Sequence, residues 1–277
     1  MPDQLTLDAM PRRLFACTPS RLAAYARCPR RYRHTYLDRP RPPRGPVAAH
    51  SSVGASVHTA LAAWWSEPLR RRTPQTAVRL LTAGWLADGF RDGQQCAAAL
   101  ARAGAWVGSY VATLDAADEP RGVERVVAAR TARLAVSGRV DRLDERDGEL
   151  AVVDYKTGRH ALTTDDARGS QALALYAVAA ARTLRRPCRR VELHHLPSGG
   201  VVTWEHGPEA LERHVGRAEA LAEDIVAATA RLRAGGDPDA VFPPVVSGAC
   251  GWCDYVRSCP AGLAAGSPRL PWEGLAA

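Results

Sequence analysis

The chain has 277 residues, 46% of them hydrophobic, with a formal net charge of +8 and a pI near 9.4. That is enough apolar material for one large domain or two modest ones, and a surface that attracts polyanions, of which nucleic acid is the commonest partner. No apolar run reaches the roughly 18 to 20 residues that span a bilayer, and the N-terminus lacks the apolar core of a signal peptide, so the expected location is the cytoplasm.

Seven cysteines are an odd number in a chain without an export signal, which favours metal binding over a disulfide framework. Lys156 is the only lysine, and every other cationic side chain of the Lys/Arg pair is arginine. Arginine is planar, bulky and effectively never deprotonated, so a surviving lysine marks a position where an ammonium does chemistry, with chance survival as the plain alternative. Tyr155 precedes it, which excludes the Gly-Lys-Ser/Thr of a P-loop and with it a Walker-type ATP site.

Residues 1–17 read as an irregular lead-in, and Thr18-Pro19 as the N-cap and first position of a helix. Between Arg12 and Arg44 lie ten arginines and one acid, Asp38, with Tyr25, Tyr32 and Tyr36 interleaved. That mixture suits backbone phosphates and stacked bases, or else a solvated basic helix face. A Pro- and Arg-rich loop over 40–46 precedes predicted helices at 53–65, 76–86 and 94–114. The texture then turns to β-branched strands at 126–134, 136–143 and 150–155, the last two joined by the hairpin signal Asp147-Gly148. A helix over 166–184, strands at 191–196 and 201–204 around Pro197-Ser198-Gly199-Gly200, and a long amphipathic helix over 208–234 follow. From Pro243 the chain reads as loop, ending in a small-residue tail.

Strand alternation puts Asp154 and Lys156 on one face and turns Tyr155 away. Pairing through the Asp147-Gly148 turn brings Asp141 close to that face, so two carboxylates and an ammonium share one place, a hard-oxygen site suited to Mg²⁺ or Mn²⁺. Phosphodiester hydrolysis uses such a site: the ion neutralises the phosphate and acidifies a water, while the lysine orients that water and stabilises developing charge. A surface hairpin with an Asp–Lys pair is the bland alternative.

Asp141 in Gly138-Arg139-Val140-Asp141-Arg142 and Asp154 and Lys156 in Val152-Val153-Asp154-Tyr155-Lys156-Thr157-Gly158 resemble the active-site motifs of the RecB-like branch of PD-(D/E)XK nucleases. The resemblance implies a metal-shell histidine in Gly-x-x-x-His, matched by Gly54 to His58, although a lone helical histidine is more often structural. It also implies a Gln and a Tyr four apart on the next helix. Here Gln171 and Tyr176 are five apart, about 140° of helical rotation, so they do not share a face of a regular helix.

Cys250-x2-Cys253-x5-Cys259 is one ligand short of a tetrahedral set, and Cys28, in Arg27-Cys28-Pro29-Arg30-Arg31-Tyr32, is the best fourth. Four such thiolates suit an iron–sulfur cluster or zinc, with unligated thiols the remaining alternative. The same pattern resembles the [4Fe–4S] site of AddB- and Cas4-type nucleases, which implies a clasp between the two ends of the chain. Cys17, Cys96 and Cys188 lack partners at ligand spacing.

The expected fold is thus α/β, a mixed sheet flanked by helices of the restriction-endonuclease type, with a nuclease domain over 18–260 and a flexible tail over 261–277. The expected activity is Mg²⁺- or Mn²⁺-dependent hydrolysis of DNA, as an exonuclease on single-stranded or end-bearing substrates in repair or recombination, with any helicase a separate partner. The alternatives are Cas4-like processing of CRISPR spacers, a non-catalytic DNA-binding module of the same fold, and a zinc-clasped nucleic-acid adaptor.

Overall fold

The computed structural model describes residues 14–275. In chain order its elements are β1 (Phe15–Cys17), α1 (Pro19–Arg27), α2 (Pro29–Tyr36), α3 (Ala49–Trp65), α4 (Pro74–Ala83), α5 (Gly93–Ala112), β2 (Gly122–Arg130), β3 (Leu134–Arg146), β4 (Glu149–Lys156), α6 (Thr164–Gly169), α7 (Gln171–Leu184), β5 (Cys188–His195), β6 (Gly200–Glu205), α8 (Pro208–Arg233), α9 (Pro238–Val241) and α10 (Pro260–Ala264). The strands form one six-stranded mixed sheet. β2 runs antiparallel along one side of β3. The other side of β3 is shared: β1 pairs parallel with Leu134–Val136, and β4 pairs antiparallel with Arg142–Arg146. β4 continues into a parallel pair with β5, and β5 into an antiparallel pair with β6. Between β1 and β4, residues 137–141 of β3 have no strand partner on that side among the described residues, so the sheet forks there.

Helices cover both faces, which is why β4 reads as a continuous apolar run rather than an alternating one. Leu150 and Val152 pack into the core under α1, α7 and α8, while Val153 and Tyr155 pack into the second core, under α3, α4 and α5. The β3–β4 hairpin turns as its sequence demands: Asp147 and Gly148 both have positive φ, 51° and 83°, the requirement of the tight turn that matches strand twist.

Several boundaries differ from the sequence reading. Residues 15–17 are strand β1, not irregular lead-in; the pairing partner lies at Leu134–Val136, so no local pattern announces it. The break between the first two predicted strands falls at Thr131, whose hydroxyl accepts from the Leu134 amide at 3.1 Å and whose own amide donates to the Leu134 carbonyl at 2.9 Å. The single helix expected over 166–184 is two, because Ser170 ends α6 and caps α7 by accepting from the Leu173 amide at 3.3 Å. The tail expected to be flexible is docked: the Ala49 amide donates to Pro271 O at 3.0 Å, the Arg269 amide donates to Gly251 O at 2.9 Å, and Leu275 packs on the second core.

The Arg- and Tyr-rich N-terminal stretch also changes meaning. Tyr32 is fully buried, stacked near Phe242 and edge-on to Tyr25, so these rings are core and not a base-stacking platform. Arg30 and Arg33 are buried as well and pair with Asp239 at 3.0 Å. They tie α2 to the C-terminal third, as do the Gly45 amide on Asp254 O at 2.7 Å and the Arg30 amide on Pro243 O at 3.3 Å. Arg12 and Arg13 lie outside the described residues. Among the described residues no helix is long and apolar enough to cross a membrane.

Candidate active site

The fork in the sheet is where the reactive side chains meet. Because β4 has left β3 by Asp154, the Tyr155 amide has no ladder partner on that side, and Asp141 Oδ2 accepts from it at 2.9 Å. A carboxylate thus substitutes for a backbone carbonyl, which aims the remaining oxygen, Oδ1, at α3. There His58 Nδ1 lies 3.2 Å away. α3 comes this close because Gly54, one turn earlier, carries no side chain: a Cβ there would stand 3.3 Å from Thr157 Oγ1. The His58 ring is packed edge-on against Tyr155, with centroids 5.7 Å apart.

Tyr155 itself is anchored from below. Arg142, 1% exposed, donates to the hydroxyls of Tyr110 (3.1 Å) and Tyr155 (3.4 Å) and pairs with Asp144 at 2.8 Å. The Tyr110 hydroxyl meets His194 Nδ1 at 2.7 Å, and His194 Nε2 meets Glu192 at 2.9 Å. Each residue of this buried network has a partner, with Arg142 Nε alone left over, and the strand that presents Asp154 and Lys156 rests on it.

Asp154 and Lys156 do share a face, with the ammonium directly on Asp154 Oδ2. The contact is ionic: that buried oxygen has no partner of good hydrogen-bond geometry. Tyr176 comes to the same place from α7. Its ring lies over Gly138, where a Cβ would sit 2.5 Å from Cε1. Burial, then the Asp154 and Asp141 charges, push the Tyr176 hydroxyl above the usual phenol range, so it stays a proton donor. Gln171 is not brought in; at the first turn of α7 its amide donates to the His214 carbonyl at 3.4 Å, facing α8, as its five-residue offset from Tyr176 implies.

One residue that the sequence reading did not single out joins the group. Donor atoms of His58, Glu124 and Asp141 lie within 4.8 Å of one another. Glu124 gets there by register: Val123 pairs with Arg142 and Arg125 with Val140, which sets Glu124 opposite Asp141, at a backbone position where its φ is +47°, rare for a residue with a side chain. Arg139 Nε pairs with its Oε2 at 2.6 Å. A glutamate in a half-exposed strand carries no special signal, and only the pairing of β2 with β3 reveals it.

The electrostatics fit a cation. Burial raises the Glu124 carboxyl, countered by Arg139 and reinforced by Asp141. Burial raises Asp154, with Lys156 opposing and Asp141 adding to the shift. For His58, burial pulls its pKa down, but the Asp141 hydrogen bond and the Asp141, Asp154 and Glu124 charges outweigh it and leave the ring above its ordinary value. With His58 neutral, as a metal ligand must be, the three carboxylates against the Lys156 ammonium and the Arg139 guanidinium leave one negative charge over, which a divalent ion held by one nitrogen and carboxylate oxygens would relieve.

The cysteines form a separate place. Cys28, Cys250, Cys253 and Cys259 line one cavity of about 30 Å³ between α2 and the C-terminal loops. Backbone amides point at three of the sulfurs: Val245 at Cys28 (3.5 Å), Ser247 at Cys250 (3.4 Å) and Gly262 at Cys259 (3.4 Å). Among the described residues, the four sulfurs do not form a set of ligand atoms within 4.8 Å of one another, unlike the His58 group. All are free thiols. Cys17 and Cys188 are buried in the main core, which pushes their thiols up to about 11 and about 12, while Cys96 accepts from Trp85 Nε1 at 3.3 Å. These three are packing residues.

The crystal structure of a protein from Eubacterium rectale named "Putative exonuclease" has a similar fold, at 10% identity and a TM-score of 0.50, over 93% of this chain and 94% of that one. The crystal structure named SSO0001 aligns at 12% identity over 92% and 90% of the two chains, with a TM-score of 0.42. No curated protein sequence matches the chain. The family model of the PD-(D/E)XK nuclease superfamily matches residues 16–260, nearly the whole chain and all of the residues brought to the fork, and the chain belongs to that superfamily.

Proposed function

We propose that this chain is a divalent-metal-dependent deoxyribonuclease of the RecB-like branch, acting as an exonuclease on single-stranded or end-bearing DNA. The observation that carries the reading is the meeting of His58, Glu124 and Asp141 with the Asp154–Lys156 pair at the fork between β3 and β4. His58, Glu124 and Asp141 would hold a Mg²⁺ or Mn²⁺ ion, with Asp154 a further carboxylate close enough to feel the charges of Asp141 and His58. Bound there, such an ion neutralises a scissile phosphate and lowers the pKa of a water. Lys156, with a half-exposed side chain, orients the attacking water and stabilises charge building on the phosphoryl oxygens. The Tyr176 hydroxyl donates a hydrogen bond to the same phosphate or water.

The proposal extends to the clasp. Cys28, Cys250, Cys253 and Cys259 would ligate a [4Fe–4S] cluster, supported by the cavity they line together and by the amides aimed at their sulfurs. A cluster would add a covalent tie to ends already joined by hydrogen bonds, making the segment from β1 through the C-terminal loops one unit. The setting is DNA repair or recombination in the cytoplasm, with unwinding, where needed, supplied by a separate helicase.

The test is degradation of end-labelled single- and double-stranded DNA by anaerobically purified protein with Mg²⁺ or Mn²⁺. Cleavage is expected with metal and is expected to fall by at least about 100-fold in Lys156→Ala, the scale of losing one group that stabilises transition-state charge. Binding without cleavage under every metal would leave only a DNA-binding module. Iron near four atoms per chain supports the cluster; zinc without iron removes it.

A further inference from the structure

Beside the cysteine cavity the surface opens into a groove of about 480 Å³, between the end of α1, the 44–48 loop, the first turn of α3 and the C-terminal loops. Its size falls in the range of small-ligand sites. Its lining is strongly one-signed: Arg27, Arg31, Arg44, Arg257 and Arg269 face it, against a single acid, Asp254. Arg31 pairs with Asp254 at 3.5 Å, Arg44 donates to the Tyr255 hydroxyl at 3.1 Å, and Arg269 pairs with Glu273 at 3.3 Å. Arg27 and Arg257 are exposed and have no side-chain partner among the described residues.

An aromatic platform stands among these cations. Trp252 is 40% exposed, yet it is held in place: His50 packs on it at 80° with centroids 5.6 Å apart, and a Cβ on Gly274 would lie 3.1 Å from its ring. A large ring kept partly in water and fixed at the rest of its surface, beside unpaired guanidinium groups, is the combination that binds single strands: phosphates on the arginines, a base on the ring. The groove also has a direction. His50 is on the first turn of α3 and His58 is eight residues further along the same helix. That is about 12 Å of axial rise, the length of roughly two to four nucleotides.

We propose that this groove is the track by which a single nucleic-acid strand reaches the carboxylate site, with its phosphates on Arg27 and Arg257 and one base stacked on Trp252. This rests on the nuclease reading for its destination, and on the groove alone for its ligand. It also gives the C-terminal loops a second role, since the segment that carries the cysteines forms one wall of the track.

The test uses a fluorescein-labelled oligothymidylate and anisotropy in EDTA, where no cleavage occurs, across a series of salt concentrations. The double variant R27A/R257A is expected to bind at least 10-fold more weakly, with the slope of log K against log salt shallower by about 0.7 for each lost phosphate contact. Trp252→Ala is expected to bind about 5- to 100-fold more weakly with the slope unchanged, as for a lost stacking contact. Hydrolysis of thymidine 5′-p-nitrophenyl phosphate with Mn²⁺, a substrate too short to reach the groove, is expected to be the same in all three proteins. If the variants bind the oligonucleotide as the wild type does while the wild type binds and cuts, the groove is not the track and the nuclease reading stands. If the variants lose binding while the wild type cuts nothing, the groove stands as a strand-binding site and the nuclease reading falls. Equal affinity of the groove for a blunt hairpin duplex would overturn its preference for single strands.

Discussion

The carboxylate fork and the cysteine cavity are both groups of reactive side chains drawn from distant parts of the chain, but they are held in opposite ways. The fork is built on strands β2, β3 and β4 and on α3, over a buried polar network, so its side chains are set by sheet register before any ligand arrives. It stores unfavourable charge in a rigid frame. The cavity is bounded by α2, two short 3₁₀ turns and loops, and its sulfurs take hydrogen bonds from amides with few regular neighbours. Rigid scaffolds pre-position ligands; loops depend on what they bind. The first place is expected to keep its shape without metal and the second to owe part of its order to its ligand.

The largest expected separation of the two comes from Cys28→Ser. With Cys28 a ligand of the proposed cluster, its loss should remove the iron and lower Tm by on the order of 5 to 10 °C, taking about 2–4 °C per kcal/mol for a domain of this size. Calorimetry with iron analysis measures both; an unchanged Tm with iron lost would mean that the hydrogen bonds between the ends suffice. Next, Glu124→Gln should weaken Mn²⁺ binding by about 10-fold, read by titration calorimetry, with the melting temperature of metal-free protein unchanged or higher. Equal affinity would return Glu124 to an ion-pair role with Arg139. The smallest effect is Asp154→Asn in metal-free protein, where a small rise in Tm is expected. Its folded pKa lies above the unfolded one, so the folded state holds the proton more tightly. Stability from this group is therefore lost as pH rises from the ordinary carboxyl value of 3.8 through the raised folded value, and at neutral pH the carboxylate is a net cost that asparagine lacks. Melting curves across that window should slope downward with pH in the wild type and less so in the variant.

The same contrast governs how much could be read from the chain. The β3–β4 hairpin was legible because an Asp-Gly turn and a period of two are local signals, and they carry Asp154 and Lys156 to one face without further help. His58 came from the family resemblance and not from any local signal, and the glycine of that pattern, Gly54, proves to be the point of close approach to Thr157. Glu124 was not legible, because the predicted strand began at Val126 and so left it outside the β2–β3 pairing that sets it opposite Asp141. β1 was not legible because three residues say little when their partner is far along the chain. Tyr25, Tyr32 and Tyr36 were misread for a different reason: composition alone does not distinguish a ring on a binding surface from one packed against Phe242. The exposed aromatic of this surface, Trp252, lies among the cysteines, where the spacing of thiols drew attention away from it.

The sharing of β3 between β1 and β4 has a consequence for the order of assembly during synthesis. β1 leaves the ribosome first, but its partner begins only at Leu134, and Cys28 emerges long before Cys259. The N-terminal segment must therefore wait, unpaired, while the β3–β4 hairpin closes locally on its two-residue turn. Short-range pairing forms fastest and long-range pairing follows. The carboxylate fork can thus close while the chain is still being made, whereas the proposed clasp needs Cys259 as well, and a product truncated before it would carry carboxylates in place without that tie.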